Sequence, residues 1–134
     1  CLDKRKNSLG VSQFRTKKEE YEYEGSDKSF KGKVFILIDE FSGSAAEVLA
    51  GGLQANKRAV IVGQTSAGAV LPSTTESLPN GGALQYAIAD FKTSDGKVLE
   101  GRGVIPDVEV KLNRKDLLAG KDTFVETALN LAKR

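Results

Sequence analysis

An α/β fold is predicted by three observations on the 134-residue chain. Lys33-Val-Phe-Ile-Leu-Ile-Asp39 places five consecutive apolar residues between polar flanks, the pattern of a strand buried on both faces in a parallel sheet. From Ala45 to about Asn56 the positions Ala45, Val48, Leu49, Gly52 and Leu53 recur at helical spacing. Ala59-Val-Ile-Val62 is a second buried strand, so strand, helix and strand form the βαβ unit of a parallel sheet.

The remaining elements follow in chain order, within a single domain spanning 1–134. Residues 1–31 are strongly polar, and within them the stretch 14–23 has aromatics at Phe14, Tyr21 and Tyr23. They read either as a hairpin with strands over 13–16 and 20–23 or as a solvated loop. Gly51-Gly52 weakens the helix by about 1 kcal/mol per residue relative to Ala, which close packing of the helix backbone on a neighbouring strand would offset. After the small-residue loop Gly63-Gln-Thr-Ser-Ala-Gly-Ala69, strands over 74–78 and 84–91 flank Pro79-Asn-Gly-Gly82, a hairpin signal. Thr93-Ser-Asp-Gly96 turns the chain before an extended stretch at 97–100. Gly101-Arg-Gly-Val-Ile-Pro-Asp107 is a bend leading to a short strand at 108–110. Asn113 and Asp122 are N-caps for helices over 114–119 and 123–132, packed through Leu117, Leu118, Val125, Ala128, Leu129 and Ala132.

Composition excludes several classes. Twenty Lys and Arg against 18 Asp and Glu leave +2, without the basic excess of a dedicated nucleic-acid binder. The longest apolar run, 34–38, is far too short to span a membrane. A single cysteine, Cys1, forms neither an internal disulfide nor a Cys-rich zinc site. Asp39 and Glu40 end a strand and gather no metal-ligand cluster; no metal or other cofactor is implied. With no His, an imidazole mechanism must borrow its base from elsewhere, and with no Met the chain reads as a piece of a longer protein.

The sharpest chemical feature is Ser44, in Phe41-Ser-Gly-Ser-Ala-Ala-Glu47, where a buried strand gives way to a helix. Backbone N–H groups at such a turn lack intrahelical partners and suit a developing oxyanion. This is the logic of a nucleophile elbow, although the spacing is not G-x-S-x-G. Ser44-Ala-Ala-Glu47 is equally a capping box, which by itself accounts for both Ser44 and Glu47.

Four ordered segments decide between the two. Val34-Phe-Ile-Leu-Ile-Asp-Glu-Phe-Ser-Gly-Ser-Ala-Ala-Glu47 resembles the active-site segment of the C-terminal processing (tail-specific) serine proteases. Lys57-Arg-Ala-Val-Ile-Val-Gly63 is similar to that family's second strand, and Gln64-Thr-Ser-Ala-Gly68 to its glycine loop. Gly101-Arg-Gly-Val-Ile-Pro-Asp107 resembles its closing G-x-G-x-x-P-D motif. The resemblance implies a crotonase/ClpP-like spiral of ββα units, here a partial domain. It also implies that Ser44 is the nucleophile, the Ala45 N–H is one oxyanion donor, and Gly68, Ala69 and Val70 belong to the substrate-binding loop.

One departure is decisive for the mechanism. The processing proteases carry a lysine after the glycine loop as general base, and this chain has Ala69, with Ser73 where a supporting Gln is common. An alanine methyl accepts no proton. The lysine-free branch, similar to the tricorn core protease, uses a Ser, an upstream His and a Glu just before the bend; Glu100 matches that Glu. The resemblance therefore implies a serine endopeptidase segment, inactive alone, whose His lies in a missing N-terminal part and whose partner is an extended peptide or protein substrate. The alternatives are a non-catalytic pseudo-protease or a lipophilic-ligand carrier similar to interphotoreceptor retinoid-binding protein, and a reading of Ala69 as an engineered Lys→Ala trap. Family resemblance points to the periplasm, cell envelope or secretion, with cytosolic relatives in the tricorn branch. The fold often self-associates, leaving a homo-oligomer open.

Overall fold

The computed structural model describes residues 6–133; Cys1 lies outside them. The polar lead-in is a hairpin. Strands β1 (Lys6–Phe14) and β2 (Lys18–Glu24) pair antiparallel with a register shift between Ser8 and Val11. The turn falls at residues 15–17, closed by the Phe14 N–H to the Lys17 carbonyl at 2.9 Å. Both strands are thus longer than 13–16 and 20–23 suggest, because Lys and Glu on the solvent face disguise the alternation. Tyr21 and Tyr23 turn half-buried between exposed glutamates, and Tyr21 meets Phe91 edge-on at 5.8 Å.

The βαβ unit stands as read. Strands β3 (Val34–Ile38) and β4 (Ala59–Gly63) run parallel in the register Val34↔Ala59 to Ile38↔Gly63, joined by helix α1 (Ala45–Ala55). The expectation that β3 is buried on both faces is not met: Ile38 is buried but Leu37 is 39% exposed, and Val60 on the same face of the central strand β4 is 37% exposed, so that face of the sheet is only partly covered by the described residues. Gly52 brings the α1 backbone onto β1, where a Cβ would lie 2.6 Å from that of Leu9.

Strands β5 (Ser73–Ser77) and β6 (Ala83–Ala87) form the second hairpin. The stretch 84–91, read as one strand, is two. At Ile88 the N–H turns to the Pro72 carbonyl (2.8 Å), and β7 (Ala89–Thr93) then crosses to β1, completing a β2-β1-β7 sheet. The stretch 97–100 contributes only a bridge, Lys92 to Val98. β8 (Val108–Glu109) pairs parallel with β4. Helix α2 (Arg114–Leu118) and helix α3 (Thr123–Ala132) take the expected caps: Asn113 accepts the Asp116 N–H, and Asp122 accepts those of Phe124 and Val125. The core gathers Ile38, Ala50, Ile61, Val70, Phe91, Leu99 and Val104 beneath the Ser44 turn.

Candidate active site

Ser44 heads α1 in a conformation that L-residues avoid, with φ 56° and ψ −126°. A side chain there is strained by about 1–3 kcal/mol, a cost that persists only where surrounding structure imposes it. The preceding loop shows what imposes it. Asp39 accepts the Ser42 hydroxyl (2.9 Å) and the Phe41 N–H (3.1 Å), and the Ser42 carbonyl accepts the Ala67 N–H (2.9 Å). Asp39 is therefore a turn residue.

Glu47 is the larger surprise. Ser44 is the N-cap of α1 and stands with Glu47 in the expected capping-box arrangement, and the Glu47 N–H also reaches the Ser44 carbonyl at 2.9 Å. The Glu47 carboxylate, 1% exposed, does far more than cap. It accepts the Ser44 N–H (3.2 Å), the Ser66 hydroxyl (2.5 Å), the Gly68 N–H (2.7 Å) and the Ala69 N–H (2.9 Å). Four donors satisfy a charge that burial would otherwise penalise. The Ser44 N–H also reaches the Ala69 carbonyl at 2.9 Å, tying the serine turn to the glycine loop. Sequence reasoning stopped at the cap because these partners lie some twenty residues away.

The closing bend braces the same loop. Val104 N–H donates to Ser66 Oγ (2.6 Å), Ser66 N–H to the Val104 carbonyl (3.2 Å), and Gly101 N–H to the Gly68 carbonyl (2.8 Å). Asp107 fastens the bend to β4, accepting the Ile61 N–H at 2.7 Å and Gln54 Nε2 at 3.0 Å. Gly101 and Val104 thus brace the glycine loop while Asp107 anchors the bend to β4.

Ser44 and Ala45 open into a groove of about 360 Å³ walled by Val48, Leu49, Val70 and Leu71 and running on to Pro72 and Ser73. The Ala45 N–H has no hydrogen-bond partner among the described residues, as a free oxyanion donor requires. Glu100 Oε2 accepts the Val70 N–H (2.8 Å) and the Leu71 N–H (3.3 Å), whereas Oε1 has no partner among the described residues. Of the loop residues singled out, Val70 is buried in the core and Ala69 is exposed. The N–H groups of Gly68, Ala69 and Val70 are all committed to Glu47 and Glu100. Ser73, the last residue of the groove, begins β5, whose edge away from β6 carries no strand among the described residues.

These features set a strained serine at a strand-to-helix turn of an α/β fold, beside an unpaired N–H and next to a braced loop. The chain belongs to peptidase family S41, whose model matches residues 3–110. It is 35% identical to a carboxy-terminal-processing protease of Bartonella bacilliformis over 89 residues, 66% of this chain and 20% of that protein. It is 28% identical to the carboxy-terminal processing protease CtpA of Bacillus subtilis over 111 residues, 83% of this chain and 24% of that one. The chain therefore spans about a fifth of the length of these curated relatives.

Solved structures share the fold. A peptidase structure from Parabacteroides merdae superposes with a TM-score of 0.81 at 20% identity, over 98% of this chain and 44% of that one. The tricorn protease superposes at 0.72 and 25% identity (93% and 12%), and the photosystem II D1 C-terminal processing protease at 0.68 and 27% (82% and 28%). The α/β fold read from the sequence is the fold of the S41 peptidases.

Proposed function

We propose that this chain supplies the nucleophile segment of a serine endopeptidase, with Ser44 attacking the carbonyl of a scissile peptide bond. The observation that carries the reading is the strained Ser44, exposed in a groove beside the unpaired Ala45 N–H. Ser44 Oγ bonds to the carbonyl carbon as its proton passes to a base, and the new oxyanion takes the Ala45 N–H. The base returns the proton to the departing amine, and water releases the acyl group by the reverse sequence.

Ala69 cannot be that base, so the proton acceptor is a His from outside these 134 residues, oriented by the open Oε1 of Glu100. With the N–H groups of 68–71 already engaged, an extended substrate pairs further along, on the open edge of β5 from Ser73. Similarity to carboxy-terminal processing proteases favours processing near protein C-termini. No helix among the described residues is long and apolar enough to cross a membrane, and relatedness to the processing proteases favours the periplasm or cell envelope.

A fluorophosphonate probe on the full-length protein should label Ser44 and lose its label on Ser44→Ala. Equal labelling of the variant overturns the reading. The second reading, a non-catalytic lipophilic-ligand carrier, is favoured by Ala69 together with the apolar walls Val48, Leu49 and Leu71. Saturable fatty-acid fluorescence on a protein that no fluorophosphonate labels would establish it instead.

A further inference from the structure

The glycine loop presents four consecutive backbone N–H groups, and two glutamates divide them. Gly68 and Ala69 donate to Glu47 at 2.7 and 2.9 Å, and Val70 and Leu71 donate to Glu100 at 2.8 and 3.3 Å. Glu47 also holds the Ser44 N–H at 3.2 Å. No hydrogen bond joins Glu100 to Ser44 among the described residues. The separation of the serine from Glu100 is therefore set by the loop backbone that both carboxylates grip.

Ser66 ties that backbone to the closing bend. It is 7% exposed, and its hydroxyl works in both directions. It donates to Glu47 Oε1 at 2.5 Å and accepts the Val104 N–H at 2.6 Å. The Ser66 N–H returns to the Val104 carbonyl at 3.2 Å, so backbone and side chain hold the same residue of the bend that follows Glu100. Gly103 permits this closeness: a Cβ there would lie 2.4 Å from the Ser66 carbonyl and 3.0 Å from its hydroxyl. A methyl group in place of the hydroxyl would leave Glu47 short of a donor and a buried N–H without an acceptor.

We propose that Ser66 is a positioning residue, which sets Ser44 through Glu47 and sets Glu100 through the closing bend and the 68–71 backbone. It does not line the Ser44 groove, so it acts through the two carboxylates and not on the substrate. The inference rests on the reading of Ser44 as nucleophile and of Glu100 as the group that orients the base. Loss of the hydroxyl lets the loop slide, and Ser44 and Glu100 lose their mutual register. Small misplacements of this kind slow the chemical step. The groove walls Val48 and Leu49 stand on α1, so binding in the groove is kept.

The test follows fluorophosphonate inactivation of the full-length protein over a range of probe concentrations, for the parent, Ser66→Ala and Ser66→Thr. In Ser66→Ala the maximal rate should fall about 30-fold with the half-saturating concentration unchanged, and Ser66→Thr, which keeps the hydroxyl, should recover most of it. The backbone amide signals of Ser44 and Leu71 should move together in Ser66→Ala and return in Ser66→Thr. Ser66→Cys, with a weaker donor of similar shape, should fall between them and serves the test where the alanine variant does not fold. A parent rate in a folded Ser66→Ala, a loss confined to the half-saturating concentration, or a folded Ser66→Thr no faster than alanine overturns the proposal. Movement of the Ser44 signal with Leu71 unmoved overturns the coupling to Glu100. A parent that takes no label at Ser44 overturns the peptidase reading instead, and the paired amide signals still decide whether Ser66 couples the two sites.

Discussion

Glu47 Oε2 accepts the backbone N–H of Ser44 at 3.2 Å, so the residue three places after the serine holds the serine's own backbone. The same carboxylate holds Ser66, Gly68 and Ala69, making one buried charge the junction of the serine turn and the glycine loop. Replacing it by alanine orphans these donors, a loss of about 2–4 kcal/mol by urea unfolding. Glu47→Gln keeps the size but presents an amide NH2 to N–H groups; it should cost about 1–3 kcal/mol. Fluorophosphonate labelling of the Gln variant should slow by about 100-fold in its maximal rate, because the serine shifts while the groove remains. Unchanged labelling in a folded Gln variant would show that Glu47 only caps.

Two glycines of the closing bend look alike and should behave differently. Gly101 and Gly103 have φ of 68° and 72°, but a Cβ at 101 meets nothing within 4 Å, whereas one at 103 runs into the Ser66 carbonyl. Gly101→Ala should therefore cost about 1–2 kcal/mol, the left-handed backbone penalty alone. Gly103→Ala must also push the two loops apart and should cost about 3 kcal/mol or more. Thermal unfolding of the pair checks this; equal losses would mean that the close approach to Ser66 carries no weight.

What was legible in the sequence divides along the range of the interactions. The βαβ unit, the 79–82 turn and both late caps come from contiguous residues, and they stand where apolar period and cap chemistry put them. The break at Ile88 was not legible, because only a partner sixteen residues earlier, the Pro72 carbonyl, takes its N–H out of the hairpin. Ser44 was visible both as a turn serine and as a cap; it is the N-cap of α1, and its φ of 56° adds a strain that the local pattern does not show. Glu47 and Ser66 were hidden for the same reason as Ile88: a buried carboxylate announces itself only once its distant donors are in place.

The Thr93–Asp95 contact predicts a local pH dependence. The Thr93 hydroxyl, then Lys97, hold the Asp95 carboxyl below its ordinary range. A carboxylate whose pKa is lowered by folding contributes stability that is complete above its unfolded value, about 4, and is lost as pH falls through the lowered folded value. Thr93→Val removes the larger cause, so Asp95 should titrate at higher pH, read from its side-chain carbon shift by NMR. Asp95 is largely exposed, so the accompanying change in acid stability is small. An unmoved titration would show that Lys97 alone sets it.

The strain at Ser44 gives the sharpest separation of stability from function. Ser44→Ala keeps a Cβ at φ 56° and loses only an exposed hydroxyl, so its stability should stay within about 0.5 kcal/mol of the parent. Ser44→Gly removes the Cβ that the conformation disfavours, at a helix N-cap where glycine is well tolerated. It should be more stable by about 0.5–2 kcal/mol, after the extra chain entropy that glycine brings to the unfolded state. Both variants lose the fluorophosphonate label. A glycine variant less stable than the alanine variant would mean that the backbone is not strained at this turn, and that Ser44 is held by packing alone.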